Sequence, residues 1–154
     1  MAHVTQSDDP LPDERINAGF EPVSELDGTA GEDEVEAVRA AYRTTFGTVP
    51  SGIEDRIAVA RASGRVGSLL AIEELRRVLL ADNPLDPRVQ QLVHFGQLLA
   101  LGHRGPARLH AGAARRAGAS MGDLVGVVET ALITAGMPAY GLGVEILAEL
   151  ARQE

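Results

Sequence analysis

The chain of 154 residues contains no cysteine and no tryptophan, its fourteen basic residues are all arginine, and aromatics make up only 3%. Each absence closes a class of chemistry. Without a thiol there is no disulfide, no thiolate nucleophile and no cysteine-ligated metal. Without a lysine amine no Schiff base can form with a carbonyl substrate or pyridoxal phosphate. Covalent catalysis is left to serine, threonine, tyrosine, histidine or a carboxylate. No apolar run approaches the ~20 residues that span a bilayer, and the N-terminus lacks the charged start and apolar stretch of a secretory signal. The expectation is a soluble cytoplasmic protein without a membrane partner.

The net charge of −8 is unevenly placed. Residues 1–34 carry ten acidic residues against Arg15, whereas residues 35–154 carry twelve acidic and thirteen basic residues. An acidic chain without a cationic stripe is a poor match for phosphate backbones, so no nucleic-acid partner is expected. The first 34 residues combine those acids with Pro10, Pro12, Pro22 and three glycines, a composition that cannot bury enough apolar surface to offset its ordering entropy. They read as a disordered acidic arm, either a solvated tail or a strap anchored by Phe20 and Val23. Residues 35–154 read as one helical domain.

Alanine, leucine, glycine and valine dominate that domain, and the apolar period is 3.6 throughout. Stripes through Val35, Val38 and Tyr42, through Ile53, Ile57 and Ala60, and through Leu69, Ile72, Leu75 and Leu79 predict three helices. Asp86-Pro87 is a capped start, with proline where the helix has no N–H to satisfy; the helix it opens stops at Gly102. Further helices are expected over 106–117, 121–135 and 138–152. The fold class is an all-α bundle of six or seven helices.

Gly118-Ala119-Ser120-Met121-Gly122 has the spacing of a nucleophilic serine turn, but a helix precedes it rather than a strand, and Ser120 with Asp123 reads as a capping arrangement. His94, His103 and His110 lack the i, i+4 spacing of a helical zinc pair, and no metal is expected. Gln90, Gln91, His94 and Gln97 form a polar stripe on the 87–101 helix that faces either solvent or a pocket. Arg104, Arg108 and His110 are the best candidate constellation: guanidinium holds a carboxylate in bidentate fashion, and imidazole moves a proton near neutral pH. Residues two apart on a helix point to opposite sides, so Arg108 and His110 would not share a face, while Arg104 is expected in the loop before Pro106.

The ordered pattern Ala100-Leu101-Gly102, Arg108-Leu109-His110, Gly118-Ala119-Ser120 and Gly136-Met137-Pro138-Ala139 resembles the carboxymuconolactone decarboxylase and alkyl hydroperoxide reductase D-like superfamily, over about residues 37–150. In the peroxidase branch a C-x-x-C pair precedes the histidine by seven and four residues; those positions are His103 and Pro106, and the glutamate of that branch falls near Gln91. The cysteine-free decarboxylase branch is the better likeness, and it implies catalysis without metal or organic cofactor. By resemblance, His110 is the acid that protonates the substrate carbon or enolate. Arg104 or Arg108 holds a carboxylate, and His94, Gln91 and His103 complete the substrate contacts. Members often carry a glutamate at the position of Pro106, so a carboxylate beside His110 would have to come from elsewhere, such as Glu73, Glu74 or Glu129. The resemblance also implies a homo-trimer or hexamer.

Two functions fit these expectations. The first is a lyase or isomerase acting on a small cyclic or unsaturated oxo acid or lactone. The second is a non-catalytic small-molecule binding or assembly module of the same fold.

Overall fold

The structure is a computed structural model that describes residues 31–153. Its elements are seven helices: α1 (Gly31–Phe46), α2 (Ser51–Ala62), α3 (Val66–Ala81), α4 (Pro87–Ala100), α5 (Arg104–Arg116), α6 (Met121–Ala135) and α7 (Met137–Ala151). Among the described residues there is no strand, and the all-α expectation holds. Residues 31–34 form the first turn of α1, where the acids Glu32, Asp33 and Glu34 meet the positive end of the helix dipole. Phe20, Val23 and the rest of residues 1–30 lie outside the described residues.

Local chemistry sets the helix ends. Asp86 caps α4 by accepting from the Val89 N–H at 3.0 Å. Ser120 and Asp123 form a reciprocal capping box at the start of α6, so this serine is an N-cap held by its neighbours. Gly102, at φ +72°, closes α4 with the His103 N–H bonded to the Leu98 carbonyl, a helix end that a residue bearing a Cβ would strain. One boundary differs from expectation. Arg104 is the first residue of α5 rather than part of a loop, because Pro106 falls within the first turn, where a missing N–H costs nothing.

Two apolar cores meet at α5. The larger joins α4 to α7 through Phe95, Leu99, Leu124, Val128 and Ile146. The smaller joins α1, α2 and α3 through Val35, Tyr42, Phe46, Ile53, Ile57 and Leu69. α5 serves both: Ala107, Ala111 and Ala114 face the first core and Ala113 the second. Alanine on this shared wall lets neighbouring helices approach closely. His110 lies on the same helix, at the seam between the two cores.

Candidate active site at the seam of the two cores

α5 presents His110 toward α4 and α1. Its Nδ1 is 2.7 Å from Gln91 Oε1. An amide oxygen can only accept, so Nδ1 carries the proton and Nε2 keeps its lone pair. The His94 ring, one turn beyond Gln91, has its centroid 4.8 Å from that of His110. Phe46 from the end of α1 meets the His110 ring edge-on at 5.2 Å. Burial, then the neighbouring His94 and the Arg76 guanidinium, push His110 down to about 4. His94 is lowered as well, by burial and by Arg76. Both imidazoles are therefore neutral near pH 7.

A second polar group packs beside this one. The Tyr42 hydroxyl donates to both oxygens of Glu73, at 3.0 and 3.2 Å, bridging α1 and α3. Glu73 is 8% exposed, and its charge is met by Arg76 at 3.5 Å and Arg56 at 3.6 Å. The Arg76 guanidinium lies over the Tyr42 ring, 4.5 Å from its centroid. Burial raises the Tyr42 hydroxyl above its ordinary value, which keeps it protonated and donating.

Two clefts adjoin along this seam. The smaller, of about 390 Å³, is lined by His94, His110, Gln91, Arg76 and the aliphatic residues of α3. The larger, of about 810 Å³, runs between α1 and α3 past Tyr42 and Glu73 and shares Thr45, Arg76, Leu80 and Gln91 with the first. The larger does not reach His110, so the group able to move a proton sits in the smaller one.

The structure brings together three of the residues singled out from sequence: His110, Gln91 and His94. The polar stripe of α4 is divided: Gln90 and Gln91 are buried and His94 half-buried, while Gln97 is exposed and Val93 turns outward. Gln90 ties the α3–α4 connection by donating to the carbonyls of Leu80 and Leu85. Arg104 and Arg108 stand elsewhere. Arg104 binds Glu145 and Glu149, and Arg108 is 3.3 Å from Glu149. Neither is among the residues lining the two clefts, and the opposite facing of Arg108 and His110 follows their spacing of two. His103 is the exposed N-cap residue of α5. Of the carboxylates considered, Glu73 is tied to Arg76, a residue that lines the His110 cleft. Glu74 pairs with Arg77, and Glu129 is exposed. No carboxylate contacts His110 among the described residues, nor could any cluster of three or more histidines and acids there hold a metal.

Arg76, Tyr42 and Phe46 were not legible as site residues. They belong to no motif, and their apolar or charged spacing on α1 and α3 matches that of ordinary helices. No described helix is long and apolar enough to cross a membrane.

The model of the carboxymuconolactone decarboxylase family matches residues 68–149, from α3 to near the end of α7. No curated protein and no solved structure matches the chain. α1 and α2 fall outside the matched stretch, yet α1 supplies Phe46 against His110 and Tyr42 against Glu73.

Proposed function

The chain belongs to the carboxymuconolactone decarboxylase family, and on that premise we propose that it is a lyase or isomerase that needs no cofactor and moves a proton on a small cyclic or unsaturated oxo acid or lactone. The observation that carries this reading is the neutral imidazole of His110, oriented by Gln91 at 2.7 Å inside a largely apolar cleft. With its proton on Nδ1, Nε2 is a base. It takes a proton from the carbon next to a carbonyl, the C–H electron pair moves into an enolate, and the imidazolium returns the same proton to a different carbon. In a decarboxylation the C–C electron pair stays on the carbon as CO2 leaves, and the carbon takes a proton that Nε2 has drawn from a water molecule, whose hydroxide combines with the CO2 as bicarbonate. An imidazolium formed in so apolar a place is a strong acid, which favours the return step. Gln91 holds the ring's tautomer, and the His94 ring packs beside it with centroids 4.8 Å apart. The sequence contains no cysteine, so the thiol chemistry of peroxidases is outside this chain's means.

Decarboxylation of carboxymuconolactone, followed by loss of ultraviolet absorbance in wild type and His110→Ala, tests the reading. Proton-transfer groups contribute roughly 10²–10⁴-fold, and a loss of that size in the variant is expected. Activity that survives the substitution would remove His110 from the mechanism. A second reading, a non-catalytic binding module, is favoured by the lack of a carboxylate against His110 among the described residues; turnover by neither protein would favour it.

A homo-oligomer, trimeric or hexameric, belongs to the same reading. Ile72, Leu75 and Leu79 support it, each 60% exposed along α3. Light scattering coupled to size exclusion measures it directly, and a monomer at micromolar concentration would sink it.

A further inference from the structure

The smaller cleft is lined, among the described residues, by one permanently charged group. Arg76 faces it together with His94, His110, Gln91 and aliphatic side chains, with no carboxylate in the lining. The way Arg76 is held leaves it able to bind. Its contact with Glu73 is 3.5 Å long, at the outer limit for an N–H···O bond. Glu73 is shared with Arg56 at 3.6 Å, so one buried carboxylate stands between two guanidiniums and the group keeps one net positive charge. The Tyr42 ring lies 4.5 Å from the guanidinium carbon, a contact that uses none of the N–H donors. Arg104 is the opposite case, bound directly to two carboxylates at the surface.

We propose that Arg76 is the anion anchor of the His110 cleft: it binds the carboxylate of a compact, largely apolar organic acid and so sets that acid's reacting carbon against the imidazole. The inference deepens the proton-transfer reading and rests on it for its catalytic meaning, but not for binding. A planar fork and a carboxylate match in bidentate geometry, and an apolar surround strengthens the pair. Ile72, Leu75 and Leu79 of α3 supply the wall for the acid's body. Binding has a second consequence. The groups facing His110 that hold it neutral are Arg76 from α3 and His94 from α4, besides burial. An anion on Arg76 cancels part of that field, so a bound acid makes His110 easier to protonate.

The test is a titration of the full chain, labelled at histidine Cε1 with carbon-13, with sodium benzoate and with its neutral counterpart benzamide. Benzoate is expected to shift the His94 and His110 signals saturably and to raise the pH midpoint of His110. Loss of a charged fork should weaken benzoate about tenfold or more, so Arg76→Gln and wild type with benzamide should both fall by that factor. Arg76→Lys keeps the charge but loses the planar fork, so it should bind benzoate more weakly than wild type and more tightly than Arg76→Gln, separating lost charge from lost folding. The double variant R104Q/R108Q should bind as wild type does. Benzoate bound equally well by Arg76→Gln, or lost in R104Q/R108Q, or never saturating in wild type, would overturn the assignment. A protein that binds benzoate through Arg76 yet turns over nothing keeps the anchor and sinks the proton-transfer reading. Loss of turnover in His110→Gln with benzoate still shifting His94 supports both.

Discussion

His110 Nδ1 and Gln91 Oε1 lie 2.7 Å apart and join α5 to α4 by a bond between residues nineteen apart in sequence. The bond decides which nitrogen of the imidazole is available for chemistry. Because the partner is an amide and not a carboxylate, it orients the ring without stabilising its protonated form.

That distinction can be reversed by one atom. In Gln91→Glu a carboxylate takes the amide's place, and an opposite charge at that distance raises a histidine by roughly 1–3 pH units. His110 should then titrate well above its present value of about 4. A carbon-13 titration of the histidine Cε1 signals checks this; an unchanged midpoint would mean that Gln91 is not the partner in solution.

The acid limb of activity follows from the same group. The neutral imidazole is the working form, so kcat/KM should rise with pH through about 4 and then stay flat from 5 to 8 as far as these rings are concerned. His94 is lowered too and lies 4.8 Å away, so the limb reports the pair. A limb centred near 6.5, the unperturbed histidine value, would contradict the burial of the site.

Folding stability carries the complementary sign. The unfolded chain protonates His110 near 6.5 and the folded chain near 4, so the unfolded state binds more protons between those values. Stability therefore falls as pH drops through that window and is fully present above it. Urea unfolding of wild type and His110→Gln at pH 7 and pH 4.5 should show the larger acid-induced loss in wild type. Equal losses in both proteins would show that the ring is not desolvated.

The packing of α6 against α7 allows a test remote from the site. A Cβ built on Gly143 would meet Val128 Cγ2 at 2.5 Å and Cγ1 at 2.8 Å, with Leu99 Cδ1 at 3.2 Å. Val128 is buried and branched at Cβ, so it has little room to turn. Gly143→Ala should destabilise by about 1–3 kcal/mol, outweighing the gain in helix propensity. A lower urea midpoint with unchanged slope is the expected result, and a higher one would refute the close approach.

The seven helices were readable from the chain because their determinants are local. A 3.6-residue period, Asp86 before Pro87, Ser120 three residues before Asp123, and glycines at helix ends all act within one or two turns. The order of the Ala100–Gly102, Arg108–His110 and Gly136–Ala139 segments was likewise sufficient to indicate the family and to single out His110. The stripe carrying Gln91 and His94 was visible as a stripe.

What tertiary structure alone decided was the direction in which each polar face points and which charges meet there. Val93 stands 42% exposed while Gln91 is 7% exposed, because Gln91 faces α5, where His110 bonds it at 2.7 Å. Arg104 and Arg108 sit on the same helix as His110 yet are held by α7, and Arg76, 34 positions before His110, shares its cleft. Tyr42 and Glu73 meet across 31 residues. Local sequence sets the period and the ends of a helix, but the partner of a charge depends on which helices lie alongside it. That is a property of packing between segments remote in the chain, and no spacing within one segment records it.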